Sequence, residues 1–295
     1  MERPVEDLSN RSFHFQNITF PNIIRAILFR IHREVVAILM KFFLDNYYKN
    51  GQLLNNHYEI LKLIGSGSFG MVYLCRDVRE NEIRVVKQLR TSKRIKKDGL
   101  HLFTNEISIL KKMNHPNLPK LYNSFSLKKN YFYVMNYIEA DNIDDQIFSH
   151  NKTFNEEESL STFSKLLKMV DYLHNQHIYH QDLRIPNIML KESEPFLIDF
   201  GLAKDMSKTW QNQRGEVEKM KQQDYYDLGD ILLFLLYTTY STRNKKALPW
   251  TEELTLEQET VYLLKRLLGI EKRYDTTSEI KADFKKALQA CRKQN

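Results

Sequence analysis

Residues that punctuate a chain are scarce here. Nine glycines and seven prolines occur among 295 residues, where average usage would give roughly 35 of the two together. Collagen-like, proline-rich and glycine/serine-linker architectures are thereby excluded. Cysteine is scarcer still: Cys75 and Cys291 stand far apart and form no metal or redox spacing. That usage rules out a disulfide framework and fits a reducing compartment. No stretch reaches the roughly 18 uninterrupted apolar residues of a membrane span. The opening, with Glu2, Glu6 and Asp7, lacks the basic start of a secretory signal. A cytoplasmic location is expected, and no fixed-period repeat is visible.

What the chain does have is enough apolar material for a sizeable core, 42% hydrophobic and 12% aromatic, which excludes wholesale disorder. The net charge of +7 is uneven: +2 over residues 1–50, +9 over 51–130 and −4 over 131–295. A chain basic in one third only is no general polyanion binder, so nucleic acid is not expected as a partner. The pattern suggests a local site for anionic groups. The run Arg90, Lys93, Arg94, Lys96 and Lys97 reads most simply as the solvated flank of the helix that follows, or as a dock for an acidic partner.

Residues 1–50 read as an extension. Residues 23–44 are strongly apolar but broken by Arg25, Arg30, Arg33, Glu34 and Lys41. All of these except Arg25 share one broad face at 100° per residue, so a basic amphipathic helix is expected over about 20–45. It could pack on its own domain, dock peripherally on a membrane, or contact a second copy in a homodimer. Residues 46–56 read as a polar connection. Strand-like runs follow at 58–64, 71–75, 83–89, 120–127 and 131–138, with a helix at about 100–112. From residue 141 the pattern is mostly helical, at 156–175, 224–240 and 256–269, interrupted by a strand pair at 188–190 and 196–198. Strands first and helices later suggest an α+β unit of two lobes.

Three of the glycines fall within six residues, in Gly65-Ser66-Gly67-Ser68-Phe69-Gly70. Glycine lets a backbone approach phosphates closely and adopt φ > 0. The spacing alone also suits an ordinary turn. Dinucleotide folds join strand to helix through such a loop. Here the β-rich residues 71–75 follow, which makes it a hairpin lid over phosphates. Lys87 lies in Ile83-Arg84-Val85-Val86-Lys87, where period two places Ile83, Val85 and Lys87 on one face. An inward lysine needs a partner. Glu106 is the candidate, because it shares a helix face with Phe103 and Leu110.

Further on stands His180-Gln181-Asp182-Leu183-Arg184-Ile185-Pro186-Asn187. Asp182 can accept a proton, Arg184 can stabilise a transferred phosphoryl group, and Asn187 offers an amide oxygen to Mg²⁺. Asp199-Phe200-Gly201 follows a strand and offers Mg²⁺ a hard carboxylate oxygen. Either motif alone could be a turn; four motifs in this order are hard to attribute to chance.

From about Tyr58 to its end the chain resembles the eukaryotic-like (Hanks-type) serine/threonine protein kinases, and among them the compact bacterial ones. The resemblance implies a bilobal α+β fold. A small β-rich N-lobe with one key helix would span 58–138, and a mainly helical C-lobe 139–291. It implies ATP- and Mg²⁺-dependent phosphoryl transfer to Ser/Thr hydroxyls of protein substrates, autophosphorylation included. Lys87 would grip the α- and β-phosphates, held by Glu106. Asp182 would be the base, with Arg184 and Asn187 beside it, and Asn187 and Asp199 would bind Mg²⁺. The implied ATP site takes in Ile64, Gly65, Ser66, Gly67, Ser68, Phe69, Gly70, Val72, Val85 and Lys87. Met135 would be the gatekeeper, and the backbone of Asn136 and Ile138 would face adenine. Leu110, Leu121, His180 and Phe200 would form a spine between the lobes, and Asp224 would anchor the catalytic loop.

The chain also departs from that family. Val85 stands where alanine is usual. Gln181 replaces the arginine that commonly pairs with a phosphate on the activation segment, which argues against that switch despite the hydroxyls of Ser207 and Thr209. Arg184 replaces a lysine. An Ala-Pro-Glu tripeptide is missing between Asp199 and Asp224, and Tyr274 falls where the arginine that pairs with that glutamate is expected. Two other readings keep the same fold: a small-molecule or lipid-headgroup kinase, and a non-catalytic ATP-binding scaffold.

Overall fold

The computed structural model describes residues 47–67, 70–94, 97–241 and 248–294. Ser68, Phe69 and the helix expected over 20–45 lie outside the described residues. Contacts divide the chain into two units, and Leu44–Tyr240 with Leu256–Asn295 form the larger. Of the smaller unit, the described part carries a single helical turn at Trp250–Glu253. The Leu248 N–H donates to the Glu253 carboxylate there at 3.0 Å.

The first half of the larger unit is one antiparallel sheet. Its strands are β1 (Leu53–Leu54), β2 (Tyr58–Ser66), β3 (Gly70–Asp77), β4 (Glu82–Leu89), β5 (Leu121–Leu127) and β6 (Asn130–Asn136), in the order β1-β2-β3-β4-β6-β5. β1 corrects the polar connection expected at 46–56. Leu54 is fully buried, and Asn55 and Asn56 turn the chain back at φ +46° and +60°. Two apolar residues amid asparagines give no periodic signal, but asparagine tolerates that left-handed turn. Two register shifts in β2, between Ile60 and Lys62 and between Leu63 and Gly65, bend it ahead of the glycine cluster. At the far side of that cluster Gly70 is obligatory, since a Cβ there would meet the Gln88 carbonyl at 2.7 Å.

Between β4 and β5 runs α1 (Lys97–Lys112). Phe103, Glu106, Ile109 and Leu110 are its buried residues near the site, at the spacing of one helix face. After β6 come β7 (Asp141–Asn142) and α2 (Ile143–Phe148), which Asn142 caps by accepting from the Asp145 N–H at 2.7 Å. α3 (Glu156–Asn175) matches its expected span and opens on a capping box of Asn155 with Glu158. β9 (Ile188–Lys191) lies between β10 (Glu194–Leu197) and β7 in a three-stranded antiparallel sheet, and β8 (Ile178–Tyr179) pairs with β11 (Lys204–Asp205).

Three helices close the unit: α4 (Arg214–Tyr237), α5 (Gln258–Leu267) and α6 (Thr277–Gln294). α4 begins ten residues before the expected 224. Its first turns carry no apolar stripe and are tied instead by polar bonds. Lys221 Nζ donates to the Asp275 carbonyl at 2.9 Å, and Gln222 Nε2 to that of Tyr274 at 2.7 Å. α4 and α5 approach closely at Gly229, where a Cβ would lie 2.7 Å from Leu267 Cβ.

Candidate active site

β4 and α1 bring Lys87 and Glu106 together, as their periods predict. Both are buried, and Lys87 Nζ donates to Glu106 Oε1 at 2.8 Å. The same ammonium reaches Asp199 Oδ1 at 2.9 Å, across from the strand half to the helical half. Burial alone would push the Lys87 ammonium down. The facing charges of Glu106 and Asp199 overcome it and hold the group well above the usual lysine range. Lys87 in turn holds the Asp199 carboxyl below its ordinary value. Burial pushes Glu106 up.

Tyr133 belongs to this cluster, and the motifs did not mark it. Its hydroxyl donates to Glu106 Oε1 at 2.8 Å from β6. The available signal was its place two residues before Met135, on the same strand face. Met135 pairs with Val85 across β4 and β6, and Asn136 pairs with Arg84. The Asn136 side chain also accepts from the Lys120 N–H at 2.7 Å, and Ile138 follows where the strand ends. Val85 is buried and Ile64 is half exposed. Gly65 pairs with Val72 across the glycine hairpin.

The catalytic-loop candidates converge on Asp182. Asn187 Nδ2 donates to both the Asp182 carbonyl and its Oδ2, each at 2.9 Å, and Arg184 Nε lies 3.4 Å from Oδ2. A carbonyl can only accept, so this bond fixes which end of the Asn187 amide is NH₂ and turns its oxygen away from Asp182. Asp224, fully buried on α4, accepts from the backbone N–H of His180 at 3.0 Å and of Gln181 at 2.8 Å. His174 Nε2 supports it at 2.8 Å. Gln181 and Asp199 both hold positive φ, +62° and +61°. Such backbone is costly away from glycine and persists where surrounding bonds fix it. His180 packs edge-on against Phe200 with ring centroids 4.8 Å apart, and Leu110 is buried while Leu121 is partly so.

Gln181 does not mimic the arginine it replaces. Its Nε2 donates to the Met220 carbonyl at 2.8 Å and to Asp224 Oδ1 at 3.1 Å, so the side chain is bound to α4. The segment after Asp199 is held by α1 instead. Asn105 Nδ2 donates to the Ala203 carbonyl at 2.9 Å. Lys112 pairs with Asp205 and reaches Ser207 Oγ at 3.0 Å. Trp210 stacks on His177 with centroids 4.6 Å apart.

Tyr274 is buried and donates to Asp283 Oδ2 at 3.1 Å. Arg266 lies 3.8 Å over its ring and bridges Glu279 and Asp283, each at 2.8 Å. Tyr274 thus belongs to a knot that joins α5, α6 and the loop between them, with no residue from the segment after Asp199 in it.

A lysine bridging a helix glutamate and an Asp-Phe-Gly aspartate, with a braced Asp182 nearby, is phosphoryl-transfer geometry. The family model described as the protein kinase domain matches residues 58–295. The chain belongs to the serine/threonine protein kinase family. It is 41% identical over 255 residues to the probable serine/threonine-protein kinase YbdM of Bacillus subtilis (strain 168), covering 86% of this chain and 98% of that one. The CBL-interacting serine/threonine-protein kinase 12 of Arabidopsis thaliana is 32% identical over 152 residues, 51% of this chain and 31% of the plant protein. The CBL-interacting protein kinase 11 of Oryza sativa subsp. japonica is 30% identical over a similar share, 51% and 30%. This kinase therefore shares almost the whole length of a bacterial relative and about a third of the length of the plant ones.

Proposed function

We propose that this kinase transfers the γ-phosphoryl group of ATP, with Mg²⁺, to serine and threonine hydroxyls of other proteins and of itself. The observation that carries the reading is the Lys87 ammonium at 2.8 Å from Glu106 and 2.9 Å from Asp199. One cation joined to a carboxylate from each half registers the phosphate grip against the metal ligand.

The donor set fits Mg²⁺. Asp199 is partly exposed and the Asn187 oxygen is turned away from Asp182. Among the described residues, no group of three or more His, Cys, Asp or Glu side chains forms a ready-made cage. Mg²⁺ is commonly held by one or two carboxylates together with substrate phosphates rather than by such a cage. Asp199 and Asn187 would hold it, and bound there it would neutralise charge on the phosphates. Lys87 grips the α- and β-phosphates, and the glycine hairpin at 65–70 covers them. Asp182 takes the proton of the acceptor hydroxyl as that oxygen bonds to the γ-phosphorus. The bond to the β-phosphate oxygen breaks and ADP leaves. Arg184 stabilises the charge spread over the transferred group.

The test is transfer of labelled γ-phosphate to a generic protein acceptor and to the enzyme itself, followed by site mapping. Transfer to serine or threonine that stops with EDTA and in Lys87→Ala is expected. Transfer to small molecules alone, or no MgATP binding by the wild type, overturns the proposal.

A further inference from the structure

We propose that Arg90 is a positioning residue that latches the glycine-rich loop in its phosphate-covering conformation. The inference rests on that loop being the cover over ATP assigned above. Arg90 follows β4 directly, three residues beyond Lys87. The solvated flank expected for residues 90–97 does not hold for it: Arg90 is only 1% exposed. The Arg94 guanidinium, by contrast, lies at the surface and donates to the Lys129 carbonyl at 2.8 Å. Arg90 Nε donates to the Gly67 carbonyl and Nη2 to Ser66 Oγ, both at 2.6 Å. The Gly67 N–H in turn donates to the Gly70 carbonyl at 3.0 Å and closes the hairpin.

A glycine loop loses more conformational freedom on ordering than other sequence does. Side-chain packing cannot hold it at Gly67, where a Cβ would find nothing within 4 Å. The Arg90 bonds to the Gly67 carbonyl and Ser66 Oγ hold it there, and short bonds from a cation are the strong kind. The planar guanidinium spans two acceptors at once, which an ammonium does less well. Arg90 directly follows the strand that carries Lys87, so the phosphate grip and the phosphate cover are registered to one stretch of chain. Pre-ordering the loop removes part of the cost of binding the nucleotide.

Steady-state kinetics against MgATP and against acceptor protein, with thermal melts, would test this in Arg90→Lys, Arg90→Met, Ser66→Ala and the Met/Ala double variant. Arg90→Met is expected to raise KM for ATP about tenfold or more, the loss of two charge-assisted bonds. KM for the acceptor should move less than about twofold, since a latch on this loop acts on nucleotide binding. Arg90→Lys should fall between. Ser66→Ala should have a smaller effect that vanishes in the Arg90→Met background, because the two share one bond. If Arg90→Met melts without cooperativity, Arg90→Lys and Ser66→Ala decide. An unchanged KM for ATP in those two folded variants, or equal rises in both KM values, overturns the latch while leaving the wild-type ATP reaction intact. A wild type that never saturates with MgATP overturns the loop's assignment as well.

Discussion

Tyr133 and Lys87 converge on a single oxygen, Glu106 Oε1, each at 2.8 Å. The glutamate that holds the lysine is therefore itself held from β6. Tyr133→Phe should cost about 1 kcal/mol, the net worth of one hydrogen bond. Glu106→Ala should cost about 3–5 kcal/mol, because it strips a partner from a buried ammonium. Urea unfolding of both variants measures this. Equal losses would mean that the tyrosine and the ion pair do not divide the work in this way.

Asp182→Asn should lower phosphate transfer by about 10²–10⁴, the usual worth of a positioned general base. MgATP affinity should persist, since no proposed nucleotide contact is removed. Single-turnover transfer alongside nucleotide binding reads the two separately. A variant that transfers at the wild-type rate would remove Asp182 from the role of base.

Asp227 on α4 sets a pH dependence. Burial, with Asp224 and Asp230 close by, pushes its carboxyl up to about 7. The folded state therefore keeps a proton that the unfolded chain has lost between about pH 4 and 7. That contribution to stability is present at low pH and is lost as pH rises through the folded value. Asp227→Asn should remove the decline, making the variant more stable than wild type at pH 8 by about 1–2 kcal/mol after solvent screening. Urea midpoints at pH 5 and pH 8 give the comparison, and parallel slopes would refute it.

Lys112 and Asn105 tie α1 to the segment after Asp199. Lys112→Met should lower kcat about fivefold, the scale on which such couplings act. Phosphatase treatment of the wild type should leave its rate unchanged, because Gln181 is bound to α4 and offers no cation to a phosphate. A rate that collapses on dephosphorylation would show that a modification, not these side chains, assembles the segment.

Much of the strand half was legible because its signals are local. The inward faces of β4 and α1 follow from periods of two and 3.6, which turn Lys87 and Glu106 inward and make each the other's candidate partner. Asp182, Asn187 and Asp199 were legible as motifs, Asn187 at the end of a short 3₁₀ turn, Ile185–Asn187. What escaped depends on contacts between distant segments. Arg90 lies in a basic run that composition reads as solvent-exposed, and only the folded hairpin supplies its acceptors. The first turns of α4 carry no apolar stripe, so nothing marked them as helix. The knot of Arg266, Tyr274 and Asp283 joins residues whose proximity no spacing rule announces.

The bonds from α1 to the segment after Asp199 bear on how such an enzyme would be governed. A phosphate on that segment commonly pairs with the arginine that Gln181 replaces; here asparagine and lysine side chains of α1 hold the segment, and they are present from synthesis onward. A catalytic unit held in this way, by hydrogen bonds and an ion pair of its own side chains, would need no earlier kinase to ready it. Its output would then follow how much is made, how long it survives and which acceptors come within reach.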